Sequence, residues 1–478
     1  CCHDSHPSWN ESLHQTRGDS IRLSSLVDDG GVPADEPEDR RIDRLVTKAN
    51  DLCLHSNDPA RIARLAVAEI VIKRRELAGP TAKDSPPTTP DLRHRIAFVL
   101  DSLKRPHEVA LLRRVYGERF VLVSFLMDRA ERHSALVSRM RLDEPNAPDL
   151  DSRAEALLDR DQAEGLPHGQ AVGKTYWLAD LFVGCSTTQP AALRTPRLDA
   201  AAEIRRFLDL LFGNPQAQTP TDDEYGMHLA KMAESRTTAL GRRVGAAIVD
   251  RDGAVVALGC NEVPRGSATD ADKGHDTNAT EVIRLAEQTL RGMAEAGMLA
   301  PKIAKGLIKN GTSIAREALE VSPLRDLIEF QRPVHAEMAA ILDATRRRVD
   351  VTDCSMCVTA YCCHLCAKHV LDLGLRPVVY LEPYPKSRAV EMYEEAARTT
   401  FVPFVGVAPR RFQALFVDVS ERKGHDGTVR SWDQATAVPG VGTVVTDAAV
   451  LQAELDEIAE LDDNTTATLP GPSDPEHA

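Results

Sequence analysis

Two short stretches limit this chain more than anything else in it: His335-Ala336-Glu337, and Cys363-His364-Leu365-Cys366 within "YCCHLCAKHV". Each follows a loop and opens a segment whose apolar pattern predicts a helix. One predicted strand, "MCVTA", lies between them. Helix starts hold side chains in place and present a positive dipole end that favours thiolates.

Cys-x-x-Cys at a helix start can bring both sulfurs onto one metal ion. A histidine from a facing helix start, His335, then supplies a third ligand. Three protein ligands leave the fourth tetrahedral position open, which marks catalytic zinc. Water bound there has its pKa lowered towards neutrality. Glu337 lies two residues beyond His335, about 200° around a helix, so the two do not stack on one face. At the first turn the flanking residue can instead point into the cavity beside the metal, where a carboxylate takes a proton from bound water and hands it to substrate. H-x-E with P-C-x-x-C is the signature of zinc nucleobase deaminases. The alternative is a closed structural zinc site, whose fourth ligand would come from Cys362, His364, Cys354 or Cys357.

The totals fit a soluble enzyme better than a polynucleotide binder. The chain has 478 residues, enough for two domains and tails. Its formal charge of −14 gives no basic track for a nucleic-acid backbone, and 4% aromatics leaves little for base stacking. No apolar run is long enough to span a membrane. Half of the 10 cysteines fall between Cys354 and Cys366, and the first residues have neither a basic start nor an apolar stretch. Both observations predict a reduced, cytoplasmic protein with a metal site. The chain starts on Cys1 rather than Met, as a fragment of a longer protein would.

Residues 1–40 are polar and acidic and read as a loop segment, truncated at its start. Residues 41–215 alternate helical and strand patterns, with buried strands predicted at Ile96–Leu100 and in "RFVLVSFL", and Arg129 and Arg132 just after the latter. "GNPQAQTPTDDE" has the composition of a linker. A second domain is expected over 222–435. It contains a hairpin turning at Asp252-Gly253, a polar helical insertion at about 265–330, and "VVYLE" as its last core strand. A helix and an acidic disordered tail are expected over 436–478.

"VHAEMAAILDA", "TAYCCHLCAKHVLDLGLRPVVYLEPYPKSRA", "LGRRVGAAIVD" and "GCNEVP" resemble the deoxycytidylate deaminase family of the cytidine deaminase superfamily. The subgroup it is most similar to is the two-domain bacterial antiphage deaminases, which join an N-terminal P-loop kinase-like domain to the deaminase. The resemblance implies a three-layer α/β/α deaminase domain C-terminal to a kinase-like α/β domain. It implies His335, Cys363 and Cys366 as Zn2+ ligands and Glu337 as proton shuttle. It also implies Asn261 at the sugar, with Arg236 and Arg242 near the nucleotide as candidate phosphate partners. The same resemblance implies that "EPYPKS" helps close the pocket and that the protein is a homo-oligomer. The implied reaction is hydrolytic deamination of dCMP or dCTP, draining the deoxycytidine pool during phage infection. The alternatives are a deaminase acting on tRNA or single-stranded DNA, and a nucleotide-sensing protein with a deaminase fold.

Two departures stand out. Cys362 occupies the place of the family's proline, and its thiol reads as incidental. The strand and glycine-rich phosphate loop that open the kinase-like domain do not appear before residue 40. "GLPHGQAVGKT" contains Gly-Lys-Thr, but its other glycine is out of step and no strand pattern precedes it, so Lys174 reads as a surface lysine.

Overall fold

The computed structural model of the chain describes residues 17–463 apart from 28–35, 78–95, 163, 165–167, 187–192, 194–196, 218, 418–420, 435, 438 and 440–446. The described residues fall into two compact units. One is drawn from Cys1–Thr188, Arg197–Thr219 and Val405–Ala478, the other from Gln189–Pro196 and Pro220–Phe404.

In the first unit β1 (Arg17–Arg22) runs parallel to β2 (Ile96–Asp101), and β3 (Val123–Leu126) runs parallel to β4 (Leu181–Gly184). Parallel partners need crossovers. Helices α1 (Glu38–His55) and α2 (Arg61–Leu77) lie between the first pair, and α3 (Pro106–Tyr116) joins the pairs. Helices α4 (Arg129–Asp143) and α5 (Leu150–Gln162) lie between the second pair. The expected loop up to residue 40 is corrected at 17–26, which form β1 and a 3-10 turn. Ile21 and Leu23 are the buried apolar residues of this stretch, so no alternating pattern announces the strand; its pairing with β2 makes it. The turn directly after β1, Leu23–Leu26, contains no glycine. The Gly-Lys-Thr lies in a four-residue helix, Val172–Thr175, whose preceding element is α5 rather than a strand, and Lys174 is exposed.

The second unit begins at Pro220, inside the linker-like stretch, and ends at Phe404, short of 435. The reason for the early end is local. Gly406–Val407 pairs antiparallel with β4, and buried Arg411 donates to Asp180 and to the Phe120 carbonyl (2.7 Å), all within the first unit. The helix Asp447–Asp463 likewise belongs there, where Glu454 pairs with Arg74 of α2. The tail expected beyond it lies outside the described residues.

A five-stranded sheet carries the second unit. Helix α6 (Ala200–Leu211) of the first unit is followed by α7 (Asp222–Glu234), then by β5 (Gly245–Val249) and β6 (Val255–Cys260), the predicted hairpin. The insertion forms two long helices, α8 (Thr277–Glu295) and α9 (Pro301–Glu320). After it come α10 (Ala336–Arg347), β7 (Ser355–Ala360), α11 (His364–Asp372), β8 (Val378–Glu382), α12 (Ala389–Thr400) and β9 (Phe401–Pro403). The sheet order is β6-β5-β7-β8-β9. "VVYLE" is therefore not the last strand: three-residue β9 adds parallel to it, too short to show a pattern.

Alternate residues of the strands serve opposite faces. Ala246, Ile248, Met356 and Val358 meet α10, α11 and α12, while Cys357 and Val249 meet Gly226 of α7. The result is three layers, α/β/α. Close approach of α10 to the sheet depends on Gly259 of β6. A Cβ there would sit 2.2 Å from the Ala336 carbonyl oxygen and 2.3 Å from the Ala340 nitrogen. Backbone cannot give way as a flexible side chain would, so Gly259→Ala is expected to destabilise the unit by at least about 2 kcal/mol in chemical denaturation. It should also lower activity, because α10 carries His335 and Glu337 at its start.

Candidate active site

Both motifs sit where helices begin. His335 is the N-cap of α10 and Cys363 the N-cap of α11, each with extended backbone. The Cys363 sulfur accepts from the Cys366 amide, an N-cap bond that also brings the two cysteines together. An antiparallel bridge between Glu262 and Val334 fixes the chain just before His335 to the end of β6.

His335 Nδ1 lies 3.2 Å from Cys363 Sγ and 3.3 Å from Cys366 Sγ. The three donor atoms lie within 4.8 Å of one another, and among the described residues they are the one such group. One imidazole nitrogen and two thiolate sulfurs at this separation match zinc's preferred donor set. Cys363 is pulled down to about 4, first by the Cys366 thiol donating to it and then by His335. The hydrogen bond that the Cys366 thiol donates to Cys363, and then burial, push Cys366 up. Burial opposes a charge on His335, but the hydrogen bond to the Cys363 sulfur together with the Cys363 and Glu337 charges outweighs it and raises the imidazole.

The expected fourth-ligand alternatives do not join this group. Cys354 Sγ points to the Asp350 carbonyl and Cys357 Sγ to the Asp223 carbonyl. His364 and Cys362 lie outside the cluster as well. The structure brings His335, Cys363 and Cys366 together and none of these four with them.

Glu337 is buried, and burial first and the Cys363 charge second push its carboxyl above the usual range. The thiol that reads as incidental in the sequence is its neighbour: Cys362 is fully buried, and burial first and the Glu337 charge second push its thiol up. Ser387 Oγ donates to the Cys362 carbonyl at 2.7 Å, so "EPYPKS" pins the turn that carries this thiol.

His335 and Glu337 open onto a cavity also lined by Asn261, Arg242 and Tyr384. Asn261 clamps the neighbouring loop: its Oδ1 accepts from the Val244 amide at 2.7 Å and its Nδ2 donates to the Arg242 carbonyl at 2.9 Å. Arg242 donates to the Pro383 carbonyl and lies 5.2 Å from the Tyr384 ring centre, a cation–π pair at the mouth. Arg236 is exposed and absent from the cavity lining. It follows α7 immediately, whereas Arg242 lies on the loop that Asn261 grips.

Sequence reasoning missed the contribution of the insertion. Asp270, Asp276 and Asn278 line the same cavity. Its exit turn reaches the metal ligands directly. Ile328 packs on Cys363 and Cys366, and Gln331 Oε1 lies 2.6 Å from His335 Nε2. The four-residue step from Gln331 to His335 was the only signal, and nothing in residue type marked it.

One imidazole and two thiol groups brought together beside a buried carboxylate define the class of site, a candidate zinc centre. Residues 220–382 match the family model described as the cytidine and deoxycytidylate deaminase zinc-binding region, and Zn2+ is the ion that this region and the His335, Cys363 and Cys366 group take. The deoxycytidylate deaminase of Schizosaccharomyces pombe (strain 972 / ATCC 24843) is 29% identical over 176 residues, 37% of this chain and 41% of that protein. ComE operon protein 2 of Bacillus subtilis (strain 168) is 28% identical over 130 residues, 27% of this chain and 60% of that protein. The chain thus spans 41% and 60% of the length of these curated relatives. Among solved structures, the dCMP deaminase from cyanophage S-TIM5 in complex with dCMP and dUMP matches with a TM-score of 0.25 at 15% identity, over 39% of this chain and 99% of that one. A Thermotoga maritima diaminohydroxyphosphoribosylaminopyrimidine deaminase/reductase matches with a TM-score of 0.21 at 16% identity, over 41% and 40%. Likenesses at these TM-scores carry no argument.

Proposed function

We propose that the chain catalyses hydrolytic deamination of a deoxycytidine nucleotide, dCMP or dCTP, to the deoxyuridine nucleotide and ammonia. The observation that carries this reading is the buried Glu337 carboxylate beside the His335, Cys363 and Cys366 group, in a cavity lined by Asn261 and Arg242. The deoxycytidylate deaminase named above supports the choice of substrate class.

His335, Cys363 and Cys366 would hold the zinc ion, which when bound would supply Lewis acidity. The remaining work falls to the chain's own groups. Glu337 takes one proton from the attacking water and passes it to ring nitrogen 3 of cytosine as the water oxygen bonds to carbon 4; it then takes that oxygen's second proton and gives it to the amine as the carbon 4–nitrogen bond breaks and ammonia leaves. Burial keeps bulk water from competing for that proton. The buried Cys362 thiol lies beside this carboxylate and helps shield it from water. Asn261 fixes the 242–244 loop against the sugar, and Arg242 offers a guanidinium to the phosphate. The mouth position of Arg242 predicts a KM effect. Arg242→Ala should raise KM roughly tenfold with little change in kcat, while Arg236→Ala should leave both within about twofold. Steady-state kinetics on dCMP and dCTP checks both, and the larger Arg242 effect identifies the phosphate form that the site prefers.

The acidic balance and few aromatics weigh against a polynucleotide substrate. Incubation with dCMP, dCTP and a cytosine-containing oligonucleotide separates the readings: conversion of the free nucleotides is expected, and conversion of the oligonucleotide alone would overturn it. In the first unit, the two parallel strand pairs with helical crossovers support a kinase-like reading. If the two-domain resemblance extends to biology, deoxycytidine nucleotide pools should fall in phage-infected cells expressing the chain, which nucleotide extraction measures.

A further inference from the structure

The ring of His335 offers two nitrogens, and a metal ligand must present the unprotonated one. In this chain the two face different surroundings. Nδ1 faces the sulfurs of Cys363 and Cys366 at 3.2 and 3.3 Å. Nε2 faces away from them, towards Gln331 Oε1 at 2.6 Å. An amide oxygen can only accept, so this contact places a ring proton on Nε2, and Nδ1 is the nitrogen that faces the sulfurs and would meet a metal. A hydrogen bond to the far nitrogen also fixes the plane of a ligating imidazole and raises its basicity.

Gln331 is itself held in place. Its backbone N–H donates to the Ile328 carbonyl at 3.2 Å, closing a turn at the exit of the helical insertion. The same turn buries Ile328 against both cysteines. One short segment therefore touches all three ligands, Ile328 at the sulfurs and Gln331 at the ring.

We propose that Gln331 is a positioning residue of the metal centre, holding His335 with Nε2 protonated and Nδ1 directed at the metal, so that the exit turn of the insertion is part of the zinc site. The proposal rests on the zinc site alone and holds whatever base is deaminated.

The test compares Gln331→Leu with Gln331→Glu in the full chain. Leucine fills similar space without an acceptor, while glutamate restores one. Zinc dissociation constants come from competition with a chromogenic chelator, and the Tm of the metal-free protein is measured alongside. Gln331 is exposed, so neither change should move the metal-free Tm. Gln331→Leu is expected to weaken zinc binding about tenfold, the low end for an outer hydrogen-bond partner because water can reach this position. Gln331→Glu should bind zinc within about threefold of the natural chain or more tightly. Cobalt-substituted protein should show a changed visible absorption in Gln331→Leu and not in Gln331→Glu. Zinc affinity within twofold of the natural chain in Gln331→Leu overturns the proposal, as does an equal loss in both variants. A chain that binds zinc as expected but deaminates no deoxycytidine nucleotide would count against the proposed function and leave this inference standing.

Discussion

Glu337→Gln is expected to lower kcat roughly a thousandfold or more while zinc binds as tightly as in the natural chain. The amide keeps the size and hydrogen-bonding reach of the carboxylate but cannot carry a proton. Glu337 is not among the metal-ligating group, so its loss should spare the metal. Its burial makes replacement by solvent ineffective, since no water-borne base has free access to the same position. The Cys362 thiol does not substitute either: burial first, and then the neighbouring Glu337 charge, push it well above neutrality, and it remains a hydrogen-bond donor. Zinc content by metal analysis and turnover by ammonia release are measured on one preparation. Activity within tenfold of the natural chain would remove Glu337 from its assigned role.

The second large effect concerns the ligands. Cys363→Ala, Cys366→Ala and His335→Ala should each reduce zinc binding by orders of magnitude and bring turnover to background. Chelation of the natural chain should do the same, and re-addition of zinc should restore it. Stability follows by mass action. With free zinc at a thousand times its Kd, binding adds roughly 4 kcal/mol to the second unit, or about ten degrees in Tm. The ligand variants should lose that increment and become insensitive to chelator. Cys363→Ala carries a further cost, since its sulfur also caps α11 at the Cys366 amide. Differential scanning calorimetry with and without chelator distinguishes the capping loss from the metal loss. A variant that keeps its zinc-dependent Tm shift would show that its residue is not a ligand.

The chemistry of this site was legible because it is written in adjacent residues. His335 with Glu337, and Cys363 with Cys366, each lie within one helical turn, and helix starts are marked by local pattern. The hairpin was equally plain, since alternating strands flank Asp252-Gly253. What escaped depends on contacts between distant segments. Gln331 looks like any polar residue leaving an insertion, and only the folded turn aims it at His335. Cys362 looked like a lost proline, because sequence shows the absent ring and not the buried carboxylate that its thiol meets. Arg236 and Arg242 were indistinguishable as neighbouring cations until Asn261 was seen to bind the backbone at 242 and 244. The second unit was carried too far, to 435, because "GVAPRRFQALF" has an ordinary α/β pattern, and its strand partner β4 lies more than two hundred residues earlier. Strand β1 was hidden for the opposite reason, since a stretch as polar as "RGDSIR" is made a strand by its partner rather than by its own composition.

The central claim is that a zinc site built from His335, Cys363 and Cys366 and served by Glu337 deaminates a deoxycytidine nucleotide. Its most direct test is product analysis on zinc-loaded protein supplied with dCMP or dCTP. The expected result is ammonia and the deoxyuridine nucleotide in equal amounts, abolished by chelator and restored by zinc. Full zinc occupancy with no ammonia released from either nucleotide would contradict it.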